Sequence, residues 1–259
     1  MDFRLLGQVG LWVDGEEFPL GPPKQRLFLV LLLLGRGQWI PTEDLIDRVW
    51  EGAPPKRSRN VVATYASRLR TVLAHAVGDA APIVHRSGTY TLTCERDAVD
   101  LFRFRDQVQK GRTAMATGDW QASFEAFDHA LSLWRGSPLA GMRNGRLGSV
   151  IDALDQERRD AEVARAQALM LSGEHERAVR YLQWLRARHP LDEEVIDLLM
   201  RSLDATGRTA SAIDLYNSLR RRLAHSMGIE PSRILQQGFV RLLRGHPSTR
   251  DLPGNGASS

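Results

Sequence analysis

Two glycines set 34 residues apart constrain this chain more than any other feature. Gly173-Glu-His-Glu-Arg-Ala178-Val179-Arg-Tyr-Leu182-Gln-Trp-Leu185 aligns with Gly207-Arg-Thr-Ala-Ser-Ala212-Ile213-Asp-Leu-Tyr216-Asn-Ser-Leu219, glycine on glycine and alanine on alanine. That spacing is the period of the tetratricopeptide helix pair. A third copy, Gly118-Asp-Trp-Gln-Ala-Ser123-Phe124-Glu-Ala-Phe127-Asp-His-Ala-Leu131, is displaced by 55 residues, one period plus 21, and the surplus coincides with the irregular stretch Arg135 to Ser149. In each copy the glycine ends a first helix, the small residue lets two helices approach, and the larger apolar positions fill the groove between them. From about Val99 onward the pattern is helical throughout, with Pro190 and Pro231 falling between helices.

The first hundred residues read differently. Phe3, Leu5, Gly7, Val9, Leu11 and Val13 share one side of an alternating segment, the period of a half-buried strand. Asp14-Gly15 turns the chain into a second strand over Glu17 to Leu20, which Gly21-Pro22-Pro23 stops before an apolar helix runs from Lys24 to about Gly35. Thr42-Glu43-Asp44 reads as an N-cap with acidic first-turn residues for a short helix reaching Trp50. The prolines in Glu51-Gly-Ala-Pro54-Pro55-Lys56-Arg57-Ser58 forbid helix there, and Ser58 is placed to cap the next one. In that third helix Val62, Ala66, Leu69 and Leu73 recur at helical spacing and face a core, leaving Asn60, Thr64, Ser67, Arg68 and Thr71 outward. Ile83-Val-His85 and Thr89-Tyr-Thr-Leu92 read as two strands about a tight turn. The fold class expected is thus an α+β N-terminal unit (residues 1–95) followed by an all-α tetratricopeptide-like unit (98–245), with 246–259 a disordered tail.

Composition excludes several classes. The 259 residues are 42% apolar with one cysteine, Cys94, which fits a globular protein of a reducing cytoplasm and argues against secretion. The longest apolar run, Leu27 to Leu34, is far below the roughly 18 residues of a bilayer span, and the acidic start at Asp2 is no signal-peptide n-region. No phosphate-cradling glycine motif is present, and neither is a Gly-x-Ser-x-Gly elbow. His175-Glu176 is followed by Val179 where a second metal-binding histidine would stand, and Asp192-Glu193-Glu194 sit where acids stabilise a helix start. Neither catalytic chemistry nor a metal or cofactor site is expected. Net charge is only +4, yet between Lys56 and Tyr90 there are six cations (Lys56, Arg57, Arg59, Arg68, Arg70, Arg86) against one anion, Asp79. Such a segment suits phosphates.

The stretch from Val49-Trp50-Glu51-Gly52 through the proline-bearing loop to Tyr65-Ala-Ser67-Arg68-Leu-Arg70 resembles the winged helix-turn-helix of OmpR-type regulators, with Arg86 and Tyr90 where their wing lies. Joined to the start Phe3-Arg4-Leu5-Leu6-Gly7 and to a repeat region similar to the bacterial transcriptional activator domain, the chain resembles a Streptomyces antibiotic regulatory protein of the small two-domain type, over roughly residues 1 to 245. At the wing, Thr89-Tyr90 stands where the family usually has Gly-Tyr.

An outward stripe of Asn60, Thr64, Ser67 and Arg68 can present amide, hydroxyl and guanidinium groups to base edges in a major groove. Arg59, Tyr65 and Arg70 flank it and suit phosphates, as do Arg86 and Thr89 on the wing, although Arg70 in a surface ion pair and Tyr65 as a core ring are the plainer alternatives. Trp50 packs under the third helix or reaches a phosphate with its indole N–H. The resemblance implies a transcriptional activator of an antibiotic or other secondary-metabolite gene cluster, a homodimer on direct promoter repeats in double-stranded DNA. It also implies that the loop bearing Glu51, Pro54, Pro55, Lys56 and Arg57 faces RNA polymerase holoenzyme. A protein-interaction scaffold without specific DNA binding is the competing reading, and a ligand-gated sensor a third.

Overall fold

In the computed structural model, which describes residues 1–77, 82–142 and 147–245, the alternating segment at the start of the chain makes two strands rather than one. β1 (Asp2–Arg4) pairs antiparallel with β2 (Gly10–Val13), which pairs in turn with β3 (Glu16–Phe18) across the Asp14-Gly15 turn. The break between β1 and β2 has a physical cause. Leu5 and Leu6 are both fully buried, which strand alternation forbids, and their amides leave the sheet to donate to the carboxylate of Asp100 at 2.8 and 3.2 Å. The carbonyls of Leu6, Leu5 and Gly7 accept from the amides of Arg135, Leu139 and Ala140 at 2.8–2.9 Å, so this stretch of backbone is satisfied by distant parts of the chain.

Helices α1 (Pro23–Leu34), α2 (Thr42–Trp50) and α3 (Ser58–Val77) follow as read from the sequence. Three features are not legible in the sequence. A two-residue strand, β4 (Ile40–Pro41), precedes α2 and pairs with β6 (Thr89–Leu92), giving a second sheet of order β4-β6-β5 with β5 at Ile83–Arg86. Thr42 is also not the N-cap of α2. Its amide and hydroxyl both donate to the Gly88 carbonyl, at 2.9 and 2.7 Å, and Pro41 occupies the cap position. Ser58 is likewise the first residue of α3 rather than its cap, and the Arg57 carbonyl accepts the amides of Asn60 and Val61.

From there the chain is helical: α4 (Asp100–Ala116), α5 (Trp120–Ser132), α6 (Gly148–Leu171), α7 (His175–Arg188), α8 (Glu193–Ala205), α9 (Thr209–Met227) and α10 (Arg233–Arg244). The repeat glycines do what their spacing implied. Gly118, Gly173 and Gly207 have φ of 79°, 79° and 75°. At each one the glycine amide bonds back three residues and the following amide bonds back five, to Ala114, Leu169 and Leu203 respectively. This is the Schellman closure of a helix, which needs a left-handed residue. Ser123, Ala178 and Ala212, the small positions of the three copies, are all fully buried. Asp192 caps α8, accepting from the amides of Glu194 and Val195.

Two compact units result, one of Met1–Thr113 with Glu125–Ala161, the other of Ala114–Phe124 with the residues from Glu162 onward. Contacts group α4 and the loop at 135–140 with β1 and the segment after it, for which they supply hydrogen-bond partners. Among the described residues no helix is long and apolar enough to cross a membrane. The tail expected at 246–259 lies outside the described residues.

Burial raises the pKa of Asp100 above the ordinary aspartate range, while the Leu5 and Leu6 amides and Arg135, 3.0 Å away, pull it back. Replacement by alanine orphans two buried amides and strands Arg135, and we expect a loss of about 2–5 kcal/mol in urea unfolding. Asp100→Asn tests the sign of the linkage. A carboxyl with a raised native pKa takes up its proton in the folded state first, so its burial cost is fully present at neutral pH and is relieved on acidification. The stability advantage of the parent over Asp100→Asn should therefore grow as pH falls from 7 toward about 3.9.

A side chain at Gly207 would meet open space, so its cost is conformational. Gly207→Ala should cost about 1 kcal/mol and Gly207→Val more, by the left-handed penalty. Hydrogen exchange should show protection lost first in α8 and α9, with α1–α3 unchanged. Simultaneous loss in both units would refute the division.

Candidate nucleic-acid interface

Helix α3 has the two faces that its periodicity required. Val62, Ala66, Leu69 and Leu73 are each 0% exposed, and Asn60, Thr64, Ser67, Arg68 and Thr71 all lie on the surface. The Thr64 hydroxyl donates to the Asn60 carbonyl at 2.9 Å, which leaves its lone pairs and methyl group outward. Arg68 has no ion-pair partner among the described residues, so its guanidinium is available to a ligand.

The loop ahead of α3 is shaped by left-handed backbone. Glu51 ends α2 at φ 54°, its amide donating to Asp47, and Gly52 follows at φ 89°. Residues 51–57 are all exposed, so Glu51, Pro54, Pro55, Lys56 and Arg57 form one surface. Trp50, at the root of the loop, stacks nearly parallel on Tyr65 of α3, with centroids 6.2 Å apart, and the ammonium of Lys24 sits 5.2 Å over its ring. Tyr65 is half-buried, and its ring and that of Trp50 pack against each other beside α3. Lys24 was not singled out in the sequence, because a lone cation at a helix start looks like any solvated residue.

The hairpin β5–β6 turns through Ser87 at φ 50° and Gly88 at φ 76°, the two positive φ values of a type I′ turn. Gly88 therefore meets the turn's demand, whatever stands at position 89. Thr89 donates its hydroxyl to the Arg86 carbonyl at 2.6 Å, and the Arg86 side chain is exposed. Tyr90 is buried edge-on against Phe28, and burial pushes its phenol up while Arg70 pulls it back. Two ties hold the hairpin. Thr42 grips the Gly88 carbonyl, and Arg70 donates through Nε to the Ile83 carbonyl at 2.7 Å.

That second tie changes the reading of Arg70. It was expected to face a phosphate or a surface carboxylate, and instead it is partly buried and bonded to backbone. Arg59 is also engaged, through Nε with Glu43 Oε1 at 2.6 Å, although both side chains are well exposed and such a pair is worth little. Cys94 has its pKa pushed up to about 11 by burial and by Glu95, which keeps it a thiol rather than a nucleophilic thiolate. What remains outward is a polar stripe on α3, a basic loop before it and a basic hairpin beyond it.

Comparison with known proteins agrees with this geometry. Residues 15–89 match the family model "Transcriptional regulatory protein, C terminal", and residues 99–243 match "Bacterial transcriptional activator domain". The regulatory protein AfsR of Streptomyces coelicolor is 36% identical over 251 residues, 96% of this chain but 25% of AfsR. The transcriptional regulatory protein MoaR1 of Mycobacterium tuberculosis is 32% identical over 95% of this chain and 80% of its own length, and DnrI of Streptomyces peucetius is 29% identical over 95% and 93%. The solved structure of Mycobacterium tuberculosis EmbR, in complex with a low-affinity phosphopeptide, superposes with a TM-score of 0.89 at 29% identity, covering 94% of this chain and 65% of that one. The chain thus spans about a quarter of the AfsR proteins and about two thirds of EmbR. The matching domains and relatives are transcriptional regulators and not enzymes. With its winged helix-turn-helix leading into a helical activator domain, the chain belongs to the Streptomyces antibiotic regulatory protein family of transcriptional regulators.

Proposed function

We propose that this regulator binds promoter DNA sequence-specifically, as a homodimer on direct repeats, and activates an antibiotic or other secondary-metabolite gene cluster by recruiting RNA polymerase. The observation that carries the reading is the α3 stripe: Asn60, Thr64, Ser67 and Arg68 stand exposed over a fully buried row, with the Arg68 guanidinium unengaged by protein. A helix N-terminal half of this kind fits the major groove, and Arg68 can grip a guanine edge with two hydrogen bonds. Lys56, Arg57, Arg86 and Thr89 lie on the segments before and after α3 and suit phosphates, with Arg59 joining them when its exposed pair opens. The loop from Glu51 to Arg57 is the polymerase-facing element, since its prolines limit the entropy lost on docking.

Arg68→Ala should weaken operator binding by about 1–3 kcal/mol and relax preference at one base position. Arg86→Ala should weaken binding alike on operator and random DNA and flatten the log–log salt slope by about one unit. Arg70→Ala should instead lower wing stability, visible as faster amide exchange in β5, with the salt slope kept. Retention on promoter DNA that ignores salt would overturn the DNA-binding reading in favour of a protein scaffold.

Activation separates from binding at the loop. Glu51→Lys together with Pro54→Gly and Pro55→Gly should abolish transcription in a reconstituted polymerase assay while operator affinity stays within about threefold, roughly 0.65 kcal/mol. A fall in transcription that merely tracks DNA occupancy would make the loop a DNA-positioning element.

A further inference from the structure

Half of the large apolar side chains exposed among the described residues crowd into one short stretch: Met227, Ile229, Ile234, Val240 and Leu243, with Ile234 75% and Leu243 56% exposed. The stretch covers the end of α9 and all of α10. In the repeat pattern α10 stands where a new first helix begins, after the pairs α6–α7 and α8–α9, and among the described residues no second helix follows it. Its inner face is spoken for by Leu235, Gly238 and Leu242, and its start is pinned where the Ser232 amide donates to the Glu193 carboxylate. The outer face carries a groove of about 390 Å³ lined by Arg233, Gln236, Gln237, Val240, Arg241 and Arg244. Three guanidiniums line it and no carboxylate does. Arg233 and Arg244 have no ion-pair partner among the described residues. Repeat arrays normally end in a polar cap, because each unit buries its faces only on its neighbours. The exposed side of α10 instead mixes this charge with three large apolar side chains, Ile234, Val240 and Leu243.

The charge decides among occupants. A second copy of the face would oppose three guanidiniums with three more. A DNA backbone would satisfy the arginines and leave Ile234, Val240 and Leu243 against phosphates. Residues 246–259 offer one large apolar residue, Leu252, and one acid, Asp251. We infer that the outer face of α10 is a docking site for an acidic amphipathic helix of a partner protein. That helix lies along Val240 with Ile234 and Leu243 at its flanks and pairs its carboxylates with Arg233 and Arg244.

The test uses the full chain and a fluorescein-labelled probe peptide of about 18 residues, with leucines on one helical face and glutamates elsewhere. Anisotropy titration should give saturable binding. A peptide with the same residues scrambled off the single face should bind about tenfold more weakly, and a peptide with lysine for glutamate should not bind. Arg233→Glu with Arg244→Glu, both exposed positions, should reverse that preference, and Val240→Ser with Leu243→Ser should weaken binding by about tenfold, each with an unchanged thermal melt. Equal binding of the glutamate and lysine peptides, or full affinity in both double variants, overturns the proposal. So does a dimer in sedimentation that Leu243→Ser dissolves, which would assign the face to a second copy, or a loss of random-DNA binding in Arg233→Glu/Arg244→Glu, which would assign it to phosphate.

Discussion

A buried carboxylate is costly, and the fold uses one where a strand would otherwise lack a partner. Asp100 is fully enclosed, yet its two oxygens receive the amides of Leu5 and Leu6 and an Arg135 nitrogen. Without it, the chain between β1 and β2 would bury two donors unpaired, each costing about 1–3 kcal/mol. With it, Leu5 and Leu6 can both turn inward, which no regular strand permits. The carbonyls on the same stretch are answered by the amides of residues 135–140, which lie within the span matched by the activator-domain model. Asp2 adds a second tie of the same kind: burial would raise its pKa, but hydrogen bonds and charge from Arg103 and Arg4 hold it below the ordinary range.

The same logic positions the candidate interface. A wing is a two-stranded hairpin, marginal by itself. Here its turn carbonyl is gripped by Thr42 at the start of α2, its first strand by Arg70 of α3, its Tyr90 by Phe28 of α1, and the Thr91 hydroxyl by the Gly37 carbonyl. Each of the three N-terminal helices therefore fixes the hairpin that carries Arg86. At the other end of α3, Trp50 and Tyr65 stack beneath the loop, so the loop's exposed residues spring from a rigid root.

Periodicity made one class of fact legible and left another out of reach. The faces of α3 could be read because Val62, Ala66, Leu69 and Leu73 recur at helical spacing, and the repeat glycines because a Schellman closure recurs with its helix. A two-residue strand such as β4 has no period to detect. The run from Phe3 to Val13 kept its alternation in sequence while Leu6 broke it in space, and nothing local marks Asp100 as the reason. Thr42 obeys the N-cap rule in sequence, but Pro41 takes the cap position and the Thr42 hydroxyl donates to the carbonyl of Gly88, 46 residues away. Sequence pattern assigns a side chain to a face. It does not say which distant group that face will meet.

That distinction alters the electrostatics of the site. Six cations between Lys56 and Tyr90 suggest six phosphate contacts, but they fall into three kinds. Arg70 is partly buried and bonded to a carbonyl, so releasing it would leave that carbonyl unpaired. Arg59 is held by an exposed pair worth at most about 1 kcal/mol, which a phosphate can outbid. Lys56, Arg57, Arg68 and Arg86 have no ion-pair partner among the described residues. On the proposed reading, in which Arg68 takes a base edge, Lys56, Arg57 and Arg86 would supply three phosphate contacts and Arg59 a fourth, each contributing about 0.9 to the salt slope. Specificity then rests on few groups, and the modest net charge of +4 becomes intelligible. A protein whose surface were basic throughout would hold any DNA tightly, whereas on the proposed reading most of the discrimination arises where α3 would meet the bases.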